Sequence, residues 1–108
     1  MKVNYIPAAL EELHVLPINE RKAMIKAFDK LADFGDQLSY PHSSLVRGSR
    51  LRELRPRAGR SPWRALYQRV GDSMVVAAIC PEAQQDSHGF RRGTIAAINR
   101  LDQYRKDL

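Results

Sequence analysis

The sequence predicts an α+β domain: an N-terminal strand and helical hairpin, an antiparallel sheet (a three-strand meander plus that edge strand), and a C-terminal helix. Three observations carry the prediction. Apolar residues recur at helical spacing up to Gly35, the period changes to two beyond Arg50, and short turn sequences separate the later runs.

Met1 to Ile6 is rich in β-branched and aromatic residues, which favours a short strand, and Pro7 closes it. Ala8 to Leu13 is a strong helix former that must stop before Pro17. Asn19 can cap the next helix, with Glu20 in its first turn and Met24, Ile25, Phe28, Leu31 and Ala32 as its apolar stripe until Gly35. Lys22, Lys26 and Lys30 fall on the other side of this helix as a solvated face. Gln37 to Arg50 is a polar connection without a clear period. Leu51 to Arg57, Trp63 to Val70 and Met74 to Cys80 then read as three consecutive strands, joined through Ala58-Gly-Arg-Ser-Pro62 and Gly71-Asp72. Pro81 ends the last of them. A closing helix is expected from about Ser87, with Phe90, Ile95, Ile98, Leu101 and Tyr104 facing the core. The layout suggests helices on one face of the sheet and a free face for function.

A chain of 108 residues is the size of one domain, taken here as residues 1–108. The hydrophobic fraction of 44% and charged fraction of 28% are those of a globular chain and argue against disorder, collagen-like repeats and coiled coil. Cys80 stands alone, so it forms no internal disulfide or zinc pair and is expected to pack as a small hydrophobe in a reducing cytosol. No stretch approaches the ~20 apolar residues of a membrane span. Glu11 and Glu12 stand where a secretion signal would be apolar. A cytoplasmic location is expected.

The net charge of +6 is unevenly placed. Up to Val46 five cations face six acids; beyond it thirteen cations face six. Arg47, Arg50, Arg52, Arg55, Arg57, Arg60, Arg64 and Arg69 cluster around one acid, Glu53. Guanidinium forks match phosphate, so this bias points to RNA, DNA or an acidic protein partner.

The element order, together with Leu51-x-Glu53-Leu54-Arg55-Pro56 and Trp63-Arg64-x-x-Tyr67, resembles the RelE/ParE toxin superfamily, in particular its HigB-like, phage-derived branch. The resemblance runs over essentially the whole chain. It includes Ala9-Leu-Glu-Glu-Leu13 before Leu16-Pro17 and the Pro41-His42 connection with Gly48. It implies a compact microbial RNase-like sheet, the toxin of a bacterial type II toxin–antitoxin system. Most members cut mRNA in the ribosomal A site, whereas ParE relatives inhibit DNA gyrase. Arg55 and Arg64 occupy the positions that hold the RNA phosphate in translation-blocking members. A cognate antitoxin, commonly a helix-turn-helix protein, is the implied partner alongside ribosome and mRNA, and a toxin–antitoxin heterotetramer is one assembly open to such a pair. The sequence departs from the pattern after its last strand. Many relatives there carry an aromatic residue and two lysines; here the run is Ile79-Cys80-Pro81-Glu82-Ala83-Gln84-Gln85-Asp86.

RNA cleavage by its own 2′-OH needs a group to take that proton, one to protonate the leaving oxygen, and cations to hold the phosphorane. No metal or cofactor is required, and the His, Asp and Glu residues show no metal-binding spacing. Strand alternation places Arg55 and Arg57 on the side of Glu53, and Arg52 on the side of Leu54. Arg55 and Arg64 are the expected phosphate clamp, with His88 as the proton-transfer candidate and His42 as the second choice. Arg52, Arg57, Arg60, Arg91 and Arg92 are the expected RNA contacts. His14, Trp63, Tyr67 and Tyr104 are expected to be structural. The preferred function is a ribosome-dependent mRNA interferase. The alternatives are a non-enzymatic ParE-like gyrase inhibitor and a decayed toxin that only binds antitoxin or operator DNA.

Overall fold

In the computed structural model, which describes residues 1–108, the chain runs β1 (Lys2–Tyr5), α1 (Pro7–His14), α2 (Ile18–Phe34), β2 (Ser43–Leu45), β3 (Arg52–Leu54), β4 (Trp63–Val70), β5 (Ser73–Pro81) and α3 (Ser87–Lys106). Pro7 opens α1, where its missing N–H costs nothing and its fixed φ suits a first turn. Pro17 precedes the first residue of α2, so the expected cap is corrected: Asn19 lies inside the first turn and makes no capping hydrogen bond. Gly35, at φ 53°, ends α2 in a conformation that a β-carbon would strain. Asp86 caps α3, its carboxylate accepting from the Gly89 N–H at 2.9 Å.

The sheet is mixed and five-stranded, ordered β1-β5-β4-β3-β2, with β1 parallel to β5 and every other pair antiparallel. Two expectations are corrected at its far edge. The polar connection contributes β2, three residues paired with β3 and too short to show a period. In turn β3 stops at Leu54 rather than Arg57. Pro56 has no N–H to pair, and Arg57 and Ala58 take left-handed φ of 54° and 55°, turning the chain out of the sheet through a 3-10 turn over Pro56–Gly59. Each left-handed non-glycine costs about 1–2 kcal/mol, so packing around the turn must offset it.

Both faces of the sheet are covered, which corrects the picture of helices on one side. Leu13, Met24, Phe28 and Leu31 of the hairpin pack on Leu54, Ala65, Tyr67 and Val76. On the opposite face Ala97 and Leu101 of α3 pack on Leu66, Val75, Ala78 and Cys80. Of the apolar stripe expected for α3, Leu101 is buried and Phe90 and Tyr104 pack partly buried against the same core, but two members are not. Ile95 and Ile98 are 52% and 42% exposed, whereas Gly93 and Ala97 meet the sheet. A β-carbon on Gly93 would stand 2.6 Å from the Cys80 β-carbon, so a small residue there is what lets helix and strand close.

A register shift between Leu66 and Tyr67 leaves Ala77 of β5 unpaired as a bulge. Arg100 and Glu12 satisfy the exposed backbone around it: Arg100 Nη1 donates to the Ala77 carbonyl at 2.9 Å and the Ile79 N–H donates to Glu12 Oε1 at 3.0 Å. The two side chains also pair with each other at 2.9 and 3.0 Å, fastening α3 to α1. No helix is long and apolar enough to cross a membrane.

Candidate nucleic-acid interface

Side-chain alternation along β3 and β4 places Glu53, Arg55 and Arg64 on the face that α3 partly covers. Arg64 is 2% exposed there. A buried guanidinium must satisfy its five N–H groups, and this one does. Nε donates to Glu53 Oε1 at 3.1 Å, Nη1 to the Ser61 and Trp63 carbonyls at 2.7 and 2.9 Å, and Nη2 to the Gly59 carbonyl at 3.2 Å and Glu82 Oε2 at 2.8 Å. The expectation that Arg64 completes a phosphate clamp therefore meets a correction. It has no free donor, and a phosphate would have to displace Glu53 or Glu82.

Arg55 is differently placed. Nε donates to the Pro41 carbonyl at 3.0 Å and Nη1 to Glu53 Oε1 at 3.2 Å, while the Tyr40 ring centroid lies 5.1 Å from its guanidinium carbon. Nη2 has no acceptor, yet it is not among the buried unpaired atoms, so solvent reaches it. Gly59, at φ 92°, makes room for this fork: a β-carbon would stand 2.5 Å from Nη2. Arg55 and Arg64 line one open hollow of about 390 Å³ together with Glu53, Gly59, Glu82 and Gln84. Two arginines and two glutamates make it nearly neutral.

The other arginines do not meet in that hollow. Arg57, expected beside Arg55, is carried away by the left-handed turn and reaches α2, where Nη1 donates to Glu20 Oε2 at 2.6 Å and Nη2 to the Asn19 carbonyl at 3.2 Å. That hydrogen bond, with a second from Ser61 Oγ at 2.7 Å, holds the Glu20 carboxyl below the usual glutamate range. Arg60 is exposed, its Nε on the Arg57 carbonyl. Arg52 points to the hairpin face, where Nε donates to the buried Ser43 hydroxyl at 3.0 Å. Arg91, Arg92 and His88 are exposed in the first turns of α3 without side-chain partners, and none lines the hollow. His42, half-buried, shares a narrow cleft with Arg55.

Tyr67 is buried against the hairpin, its hydroxyl 2.6 Å from Ser43 Oγ, and Trp63 packs beside it. The phenol of Tyr104 accepts from Asn4 Nδ2 at 3.3 Å. Burial, then the nearby Glu53, pushes the Cys80 thiol up to about 12, so it is no nucleophile. Sequence reasoning missed Glu82, Tyr40 and Gly59. No sequence signal singled out Glu82, which lies beyond the end of β5 while Arg64 stands near the start of β4.

Residues 11–82 match the family described as Phage derived protein Gp49-like (DUF891). No curated protein matches the sequence. Among solved structures, a free-state mutant of the Escherichia coli toxin RelE is similar over 93% of this chain and 96% of its own, at 16% identity and a TM-score of 0.65. The RelBE2 toxin–antitoxin complex of Mycobacterium tuberculosis contains a chain similar over 75% of this one and 96% of its own, at 20% identity and a TM-score of 0.58. A chain of the intact E. coli RelBE complex is similar over 72% of this chain and 92% of its own, at 17% identity and a TM-score of 0.57. At these identities the likeness is one of fold.

Proposed function

The chain belongs to the phage-derived Gp49-like family and has the fold of RelE toxins, and from that premise we propose that it is the toxin of a bacterial type II toxin–antitoxin pair, arresting translation by metal-independent, ribosome-dependent cleavage of mRNA. The observation that supports this reading is the Arg55 fork. It is held on its Nε and Nη1 edges by Pro41 and Glu53, and it keeps Nη2 open on the wall of a hollow. A guanidinium already immobilised loses little freedom on seating a phosphate and holds it more rigidly than lysine could.

In this reading Arg55 is the phosphate contact, and Arg64 is the buried post that positions Glu53 and Glu82 around it. Arg57, Arg60, Arg91 and Arg92 contact flanking RNA or ribosomal RNA. His88 at the start of α3, or His42 in the cleft beside Arg55, moves the proton. The partner is a cognate antitoxin, as the RelBE complexes suggest by analogy. The groove between α3 and the loop before β3, with Leu51 and Leu101 beneath it, the exposed Ile98 on its wall, and Arg50, Arg105 and Asp102 at its rim, suits an apolar segment with an acidic flank. The ribosomal target places the protein in the cytoplasm.

Primer extension on mRNA from cells expressing the chain should show new in-frame 5′ ends, lost with Arg55→Gln. Intact mRNA with stalled gyrase supercoiling would point instead to a ParE-like inhibitor. One observation favours a second reading. Glu53 and Glu82 cancel the charge of Arg55 and Arg64, as expected of a decayed toxin whose basic surface serves only antitoxin or operator binding. Growth arrest on expression without the partner excludes it.

A further inference from the structure

On the opposite face of the sheet, a second hollow of about 360 Å³ is lined by Arg50, Arg52 and Arg69, with Asp36, Tyr67 and Gln68 among its other walls. The sheet register builds it. Arg52 of β3 stands opposite Tyr67 of β4, and Arg69 follows Tyr67 by two residues on the same face, so Arg52 and Arg69 are diagonal neighbours roughly 7–8 Å apart at their α-carbons. Arg50 enters from the loop just before β3. Like charges this close repel unless something anionic lies between them.

The acceptors present do not exhaust the donors. Arg52 is braced only at Nε, by a Ser43 hydroxyl that is itself fixed by the Tyr67 phenol, and both of its terminal nitrogens lack acceptors. Arg50 is exposed and has no side-chain partner. Arg69 donates from Nε to the Gly71 carbonyl at 2.8 Å and from Nη1 to Asp36, with Asp72 3.9 Å from Nη2. Arg69 is thus paired with Asp36 and approached by Asp72, whereas Arg50 and Arg52 face the hollow with no carboxylate, a surplus of two unpaired positive charges.

We infer that this hollow is a binding site for the phosphomonoester of a nucleotide. The charge surplus matches a phosphomonoester, which carries about −1.5 to −2 at neutral pH, better than the single charge of an internal phosphodiester. Arg52 offers a pre-braced fork for two phosphate oxygens. The volume exceeds what a phosphate alone would fill. Arg50 supplies a planar cation on which a base can stack. The site lies on the face away from Arg55 and stands whether or not that hollow is catalytic.

Calorimetric or NMR titration of the purified full chain with adenosine 5′-monophosphate and adenosine 3′-monophosphate tests the inference, with adenosine and an unphosphorylated dinucleotide as controls. Either nucleotide should bind at least ten times more tightly than both controls, the tighter one naming the end recognised. Arg52→Gln should weaken that binding ten-fold or more while Arg55→Gln leaves it unchanged. Arg50→Gln, at an exposed residue that cannot disturb folding, should weaken it several-fold. Equal binding of adenosine or the dinucleotide, equal binding of a phosphoserine peptide, no response to Arg50→Gln and Arg52→Gln, or loss of binding in Arg55→Gln would each overturn it.

Discussion

The two hollows of the sheet are built from the same residue type and differ in how many carboxylates share the space. On the α3 face, Arg55 and Arg64 meet Glu53 and Glu82, and every donor of Arg64 is spent inside the protein. On the hairpin face only Arg69 has carboxylate partners, Asp36 and the fully exposed Asp72, and the terminal donors of Arg50 and Arg52 are free. The difference teaches that a dense run of arginines says how much positive charge a chain has and nothing about how much of it is available. Availability is set by burial. A guanidinium out of water must acquire acceptors, and those acceptors then exclude a ligand.

The comparison is broken most directly at Arg64. Arg64→Leu should lower stability by about 3–5 kcal/mol, because it leaves Glu82 without its cation, Glu53 with Arg55 alone, and three carbonyls without their donor. Urea unfolding with the slope held constant measures this. Replacing Arg64, Glu53 and Glu82 together by apolar residues of similar volume should restore much of the loss. If Arg64→Leu folds with wild-type stability, the network is not the post that holds the hollow. The Arg50→Gln variant on the other face should stay within ~0.5 kcal/mol of wild type.

Gly59→Ala comes next, at about 1–3 kcal/mol. Its β-carbon meets Arg55 Nη2 at 2.5 Å, and its φ of 92° is strained for any other residue. The variant should also lose translation arrest, since the fork has to leave its brace. Arrest retained at full strength would remove Arg55 from the site.

Glu82→Gln sharpens the comparison with a smaller effect on folding, on the order of 1 kcal/mol. It removes one of the two negative charges that neutralise the α3-face hollow. Binding of a short RNA should tighten, and its salt dependence should steepen by about one unit of log slope. Unchanged slopes would mean that RNA does not enter there.

How much of this was legible follows the same physics. The bounds of β4 were readable because a run rich in aromatic and apolar residues lies between the turn sequences Ala58-Gly-Arg-Ser-Pro62 and Gly71-Asp72. Alternation also placed Arg55 and Arg64 on one side and Arg52 on the other. The end of β3 was not readable, since Arg57 and Ala58 carry no turn signature in their side chains yet take left-handed φ. Phe90, Leu101 and Tyr104 of α3 were placed correctly, but two positions of its stripe were misjudged because large residues attract attention. Ile95 and Ile98 suggested the buried face, whereas close helix–sheet contact is made by Gly93 and Ala97. Glu82 lies 18 residues from Arg64, and only the fold brings them together. A strand arginine announces that it needs acceptors without saying which.

The smallest effect probes why Arg57 leaves the sheet. Its hydrogen bond to Glu20 depresses that carboxyl, with Ser61 adding a second donor. A carboxyl whose folded pKa is lowered contributes stability that is fully present above its unfolded value, about 4.3, and is lost as pH falls through the folded value. Wild type and Glu20→Gln should therefore differ most at neutral pH and converge in acid, with wild type the more stable above the crossover. A Glu20→Gln difference that persists unchanged into acid would mean that the turn is held by its backbone alone, and that the displacement of Arg57 from the Arg55 hollow is a property of Pro56 and the left-handed pair rather than of the ion pair.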